Sequence, residues 1–203
     1  LDDALIDNGF KINDVALNEY LKQNSENIKN KEDTAEIPGA IGVAMSMMNP
    51  YTPIKMQYST KLLNKISEAS DLAIITIGRN SGESSDRVLE NDFLLSEKEE
   101  QMIKKTCDVF HSKGKKVVVI LNIGGVIETS SWKDQPDAIL LAWQGGQEGG
   151  NSVVDILTGK VNPSGKLPMT FPIDVNDHKS TLNFPMDGEK LKFTDMIFGV
   201  DYD

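Results

Sequence analysis

One short segment of the sequence concentrates side chains that could transfer a proton. Residues 78–87 read Gly-Arg-Asn-Ser-Gly-Glu-Ser-Ser-Asp-Arg, and two acids, Glu83 and Asp86, lie there among small residues. The segment also holds two arginines, at Arg79 and Arg87. A carboxyl group in a cleft can be tuned by nearby guanidinium groups and can protonate a leaving oxygen. Composition alone favours a solvated loop, because surface ion pairs are common and contribute little.

A second segment, residues 143–150, reads Trp-Gln-Gly-Gly-Gln-Glu-Gly-Gly and superficially resembles a loop that cradles phosphate. It has neither the glycine spacing of a dinucleotide fingerprint nor a Gly-Lys-Ser/Thr ending, and Glu148 would repel a phosphate. We expect its glycines to permit tight turns and close packing instead. Trp143 could stack on a sugar ring, although packing is the commoner role of a tryptophan at a strand end.

The sequence gives little support for a metal site, a cofactor, or a nucleic-acid or membrane partner. The only cysteine, Cys107, and the two histidines, His111 and His178, show no metal-ligand spacing, so we expect no metal and no other cofactor. We expect Cys107 to be a buried hydrophobe on a helix. With 31 acidic and 21 basic residues, the charge of −10 disfavours nucleic acid and anionic membranes as partners. The sequence shows no signal segment and no apolar run long enough to span a membrane. We expect its first residue to lie inside a longer protein. The sequence leaves open whether that protein is cytoplasmic or secreted.

The elements that must position these segments follow from hydrophobic periodicity. Three apolar runs predict buried parallel strands: residues 72–77, 117–121 and 138–143. Ser96 and Glu99 form a capping box, and apolar residues at helical spacing then continue towards Gly114, which predicts an amphipathic helix. Three further helices are predicted: residues 15–28, 59–66 and about 151–157.

Strands that alternate with helices predict an α/β domain, in which helices cover both faces of a mainly parallel sheet in a flavodoxin-like layering. Right-handed crossovers would then bring residues 78–91, 122–125 and 143–150 to the carboxyl edge of the sheet. A functional site is expected at that edge.

Several segments together resemble the α/β-sandwich domain of family-three glycoside hydrolases of the β-glucosidase type. They occur in the order and spacing of that family across roughly residues 45–185. The segments are residues 70–79, the Ser-Gly-Glu of 81–83, the Asp-Arg of 86–87, and residues 93–99, 138–150, 155–159 and 162–168. The resemblance implies a six-stranded sandwich in residues 1–185, whose first strand is expected to be missing before Leu1, followed by a tail or linker in residues 186–203.

The resemblance also implies a retaining, exo-acting hydrolase of terminal β-linked glucose-type sugars. Such enzymes use two carboxyl groups about 5 Å apart, one as nucleophile and one as acid/base. In this family a (β/α) barrel supplies an aspartate nucleophile and the sandwich supplies the acid/base. A barrel needs about 250 residues, more than the 203 present, so we expect a barrel domain elsewhere in the same enzyme and no activity from this chain alone.

Glu83 matches the glutamate of the family's Ser-Gly-Glu motif and is implied to be the acid/base. Glu90 is the alternative, because the position of the acid varies among subgroups. Arg79, Asp86 and Arg87 are implied to shape the loop or to touch substrate hydroxyls, and Trp143 is a candidate for sugar contact.

Two other classes of function remain open from the sequence. The chain could be a non-catalytic carbohydrate-binding or interaction module on the same fold. A flavodoxin-like nucleotide-binding domain is the weaker possibility, because Glu148 disfavours phosphate.

Overall fold

The computed structural model describes residues 1–32, 55–79 and 88–182. Within these ranges three strands form one parallel sheet in the order β1-β2-β3: β1 (Leu72–Gly78), β2 (Lys116–Asn122) and β3 (Ala138–Leu141). The three predicted strands are therefore confirmed as members of one sheet. The third is shorter than predicted: it ends at Leu141, and Trp143, two residues later, has φ of +53°, far from the dihedral angles typical of a β-strand.

Six α-helices lie in the described ranges. They are α1 (Asp2–Asp7), α2 (Asp14–Glu32), α3 (Thr60–Glu68), α4 (Glu97–His111), α5 (Gly149–Leu157) and α6 (Lys179–Leu182). The capping box predicted at Ser96 begins α4, and Gly114 turns the chain after it with φ of +70°. Helix α3 begins after Ser59, whose side chain accepts a hydrogen bond from the backbone of Leu62. No helix of the described ranges is long and apolar enough to cross a membrane.

Alternate residues of the strands point to opposite faces, and helices cover both. On one face Ile77 packs in a core with residues of α3, α4 and β2, among them Ile103 and Val119, which are fully buried. On the other face Ile74 packs with Leu5 of α1 and Val154 of α5. Burial of each such side chain contributes about 1.5–3 kcal/mol. The α/β fold with a parallel sheet between helices is confirmed, while the described ranges contribute three strands and the six-stranded count stays a prediction.

Candidate functional site

The segments after the three strands start at one edge of the sheet. Gly78 lies opposite Asn122 in the register, and Leu121 lies opposite Leu141. The backbone N–H of Arg79 donates to the carbonyl of Asn122 at 3.1 Å, which continues the pairing one residue past β1. The carboxyl ends of parallel strands meet in this way, and ligands of open α/β sheets bind at such edges.

Three of the candidate residues, Glu83, Asp86 and Arg87, fall in residues 80–87 and lie outside the described ranges. Their roles stay predictions. The structure describes Gly78 and Arg79, which precede this gap, and the residues that follow it from Val88 onwards. The described part of the site therefore consists of its two ends.

Arg79 enters the protein interior at the start of the segment, where its side chain is only 5% exposed. Its Nη1 and Nη2 atoms donate to Oε1 and Oε2 of Glu99 at 2.7 and 3.0 Å, a two-pronged ion pair. Nη1 also donates to the carbonyl of Gly78 at 2.7 Å, and Nε donates to the carbonyl of Asp92 at 2.8 Å. Arg79 was expected to shape the loop or to touch substrate, and these contacts connect both ends of the segment.

Glu99 receives hydrogen bonds from a second direction as well. The backbone N–H and the hydroxyl of Ser96 donate to its Oε2 at 2.8 and 2.7 Å. Burial alone would raise the pKa of Glu99, but the hydrogen bonds from Arg79 and Ser96, together with the charge of Arg79, outweigh it and hold that pKa below its usual range. The sequence indicated Glu99 only as a capping-box acid, because nothing local links it to Arg79.

Glu90 lies in the turn Leu89–Phe93 that follows the gap, and its side chain is exposed. The next residue, Asn91, has φ of +63°, a left-handed conformation that asparagine tolerates better than most residues. The Nζ of Lys55 lies 3.4 Å from the carbonyl oxygen of Asn91 and 3.9 Å from Oε2 of Glu99. The alternative acid is therefore accessible at the same edge of the sheet.

Trp143 directly follows the carboxyl edge at β3. It is partly buried against the core, and its ring lies 6.2 Å from that of Phe171, centroid to centroid, at 45°. Phe171 comes from the chain after α5, so this aromatic pair joins two of the segments near the edge. Trp143 is only partly buried, and its expected contact with a sugar stays a prediction.

The glycines after Trp143 permit a close backbone approach, as expected. A Cβ on Gly145 would lie 2.8 Å from the Cα of Gly149, and Gly146 has φ of +62°. Glu148 precedes α5 and accepts a hydrogen bond from the side chain of Asn151 at 2.8 Å.

A buried acid that the sequence did not single out, Glu128, follows β2. Its carboxylate accepts hydrogen bonds from the hydroxyl of Ser130 and from the hydroxyl of Ser131. It also accepts one from the backbone N–H of Ser131 at 2.8 Å. These bonds hold the pKa of Glu128 below its usual range against the opposing effect of burial. Because its backbone N–H also donates to the carbonyl of Phe93 at 2.9 Å, Glu128 fixes the turn after β2 against the segment that follows the gap.

The remaining titratable candidates lie away from this edge. Cys107 is buried in α4, and burial raises the pKa of its thiol to about 11. His111 lies 2.8 Å from Asp137, which also pairs with Lys116 at the start of β2 and therefore at the opposite edge. Nowhere in residues 1–32, 55–79 and 88–182 do three or more His, Cys, Asp or Glu residues form a group that could hold a metal ion.

Comparison with known proteins adds independent findings. The family model of the glycosyl hydrolase family 3 C-terminal domain matches residues 12–202. A β-glucosidase of Ruminococcus albus is 32% identical over 202 residues, which are 98% of this chain and 20% of that protein. β-Glucosidase A of Butyrivibrio fibrisolvens is 38% identical over 154 residues, 64% of this chain and 18% of that protein.

Solved structures of β-glucosidases have the same fold over most of the chain. β-Glucosidase 3B from Thermotoga neapolitana, in complex with glucose, superposes with a TM-score of 0.71 and 41% identity, over 90% of this chain and 24% of that one. A β-glucosidase from Paenibacillus barengoltzii gives a TM-score of 0.62 and 33% identity, over 68% of this chain and 15% of that one. The chain thus spans about a fifth of the length of the curated relatives it matches.

Proposed function

The chain belongs to the glycosyl hydrolase family 3 C-terminal domain family, and from that premise we propose that it supplies the general acid/base of a retaining, exo-acting β-glycosidase. The substrate is a glucoside or oligosaccharide with a terminal β-linked glucose-type sugar. A (β/α) barrel domain of the same enzyme, outside these 203 residues, supplies the aspartate nucleophile. The observation that carries the proposal is the Ser-Gly-Glu sequence of residues 81–83, which follows the end of β1 after two intervening residues, in a chain similar over 98% of its length to a β-glucosidase.

Glu83 acts twice in each catalytic cycle. In the first step the nucleophile attacks the anomeric carbon, the bond from that carbon to the leaving oxygen breaks, and Glu83 gives its proton to that oxygen. In the second step ionised Glu83 takes a proton from water, whose oxygen attacks the anomeric carbon and releases the nucleophile. One water is consumed, and both carboxyl groups return to their starting states.

The neighbouring residues serve this chemistry in different ways. Arg79 shapes the segment from inside the protein, because its donors are directed to Gly78, Asp92 and Glu99. Asp86 and Arg87 shape the loop or touch substrate hydroxyls, and Trp143, which is only partly buried, contacts a sugar ring. Glu90, exposed at the same edge, is the alternative acid/base.

The domain occupies residues 1–185 and has a six-stranded sheet in its complete form, and residues 186–203 form a tail or linker. The three parallel strands of the described ranges support this architecture. An experimental structure of the full-length protein would test the strand count and the boundary.

The proposed function is tested with the full-length protein, an alkyl β-glucoside and an aryl β-glucoside that has a good leaving group. Glu83→Gln keeps the size of the side chain but cannot donate a proton as an acid, so hydrolysis of the alkyl substrate should fall far more than that of the aryl substrate. General acid/base catalysis typically contributes about 100-fold to 10,000-fold. Azide should partly restore turnover of the aryl substrate, because it attacks without deprotonation.

Glu90→Gln is the matched variant. If the loss that depends on the leaving group appears only there, Glu90 is the acid and Glu83 is not. If the full-length wild type hydrolyses no β-glycoside while the 203-residue chain binds glucose in calorimetry, the binding module replaces the enzyme as the better account.

A further inference from the structure

The ion pair of Arg79 and Glu99 joins the two ends of the segment that carries the proposed acid. Arg79 stands at the end of β1, and its Nε donates to the carbonyl of Asp92, thirteen residues later, at 2.8 Å. Its Nη1 donates to the carbonyl of Gly78 at 2.7 Å. One guanidinium group therefore bonds to the backbone on both sides of residues 80–91. We call this guanidinium group, together with its partner Glu99, the Arg79–Glu99 clasp.

Glu99 sets the orientation of the guanidinium group in the Arg79–Glu99 clasp. Both of its oxygens accept from Arg79, at 2.7 and 3.0 Å, which defines the plane of the guanidinium group. Ser96 fixes the carboxylate in turn through its backbone N–H and its hydroxyl. The carboxylate is thus held by α4 on one side and holds Arg79 on the other.

Stability alone is a weak explanation for this arrangement. A buried ion pair must repay the desolvation of two charges, and apolar side chains of similar volume are often as stable or more so. The side chains of Arg79 and Glu99 are only 5% and 9% exposed, so the desolvation cost applies to both. The capping box of α4 would need Glu99 to reach only the backbone of Ser96, whereas the two-pronged contact with Arg79 is additional.

We propose that Glu99 is a positioning residue for the acid/base: through Arg79 it fixes the separation of Gly78 and Asp92, the two described residues that flank Glu83 in the sequence. This inference rests on the proposed function. Catalytic groups must be held close to the productive geometry, and a displacement of 1 Å can cost about 100-fold in rate. The effect of Glu99 should therefore concentrate on the step that needs proton donation.

The test measures kcat and KM of the full-length protein for the alkyl and the aryl β-glucoside. Glu99→Gln should lower kcat/KM about 10-fold to 100-fold more for the alkyl than for the aryl substrate. Glu100→Gln is the control, because it removes the same charge from the same turn of α4 at an exposed position. It should leave the ratio of the two substrates unchanged.

A second variant keeps the test decisive if Glu99→Gln folds poorly. Arg79→Lys retains a positive charge beside Glu99, but an ammonium group cannot form the planar two-pronged contact and also donate to Asp92 as Nε does. It should change the ratio of the two substrates in the same direction. Rates are normalised to folded protein, and the melting temperature is recorded for each variant.

The double variant with Glu83→Gln separates positioning from simple destabilisation. If Glu99 acts by placing the acid, Glu99→Gln should change the substrate ratio little further once the acid is gone. The inference would be overturned if Glu99→Gln lowered kcat/KM equally for both substrates, in the wild type and in the Glu83→Gln variant alike. Failure of the proposed function would give a different result. In that case Glu83→Gln would lower kcat/KM equally for both substrates, whatever the effect of Glu99→Gln.

Discussion

Ser96 and Glu99 form a reciprocal pair at the start of α4. The backbone N–H of Ser96 donates to Oε2 of Glu99 at 2.8 Å, its hydroxyl donates to the same oxygen at 2.7 Å, and the N–H of Glu99 donates to the Ser96 hydroxyl at 3.4 Å. The same carboxylate receives Arg79. One side chain therefore begins the helix and holds the end of β1, so that its protonation should weaken both.

Acid should destabilise the domain through Glu99. The folded-state pKa of Glu99 lies below its usual range, so its stabilising contribution is present at neutral pH. It is lost as the pH falls from about 4.3, the ordinary value for glutamate, through the folded-state pKa. Glu99→Gln should lower the free energy of unfolding by up to about 3–5 kcal/mol at pH 7, and this difference from wild type should shrink in acid. Denaturant unfolding between pH 7 and pH 3 measures it.

Glu100→Gln is the control in that experiment, since Glu100 is exposed. Its unfolding free energy should run parallel to that of wild type. A gap between Glu99→Gln and wild type that stays constant down to pH 3 would contradict the assignment.

The thiol of Cys107 should be protected in the folded chain. It is 4% exposed, and burial raises its pKa to about 11, so little thiolate forms at neutral pH. A thiol reagent at pH 8 should label the native 203-residue chain very slowly and should label one thiol per chain in denaturant, because the chain has one cysteine. Rapid labelling under native conditions would show that α4 does not bury this residue.

Gly145→Ala should destabilise the turn before α5. The added Cβ would lie 2.8 Å from the Cα of Gly149, a backbone atom that cannot move aside without shifting the helix. We expect a loss of about 1–3 kcal/mol in the free energy of unfolding. Gly165→Ala is the matched control, because its Cβ would meet nothing within 4 Å. Similar stability of the two variants would count against the close approach.

Phe171→Ala should loosen the contact that holds the chain after α5 to the carboxyl edge. Aromatic pairs at such distances contribute about 0.5–1.5 kcal/mol beyond the area they bury. The fluorescence of Trp143 should shift to the red as water reaches its ring, whereas the second tryptophan, Trp132, is buried elsewhere in the core. Met169→Ala, at a 49% exposed position of the same segment, should leave the spectrum unchanged.

The sequence by itself determined the elements whose causes are local. The apolar runs of β1, β2 and β3 and the capping box of Ser96 and Glu99 were visible because hydrophobic periodicity and a bond across three residues depend on near neighbours alone. The family was also legible, since its motifs occur in order along the chain, and the matched residues 12–202 confirm it.

The tertiary structure alone decided which partners meet across long separations. Arg79 and Glu99 lie twenty residues apart, and Trp143 and Phe171 meet although α5 lies between them in the chain. No periodicity predicts such contacts, because they exist only after parallel pairing has brought the ends of the strands to one edge and packed α4 against them. For the same reason Arg79, which the sequence grouped with solvated loop charges, is a buried residue that joins two parts of the backbone.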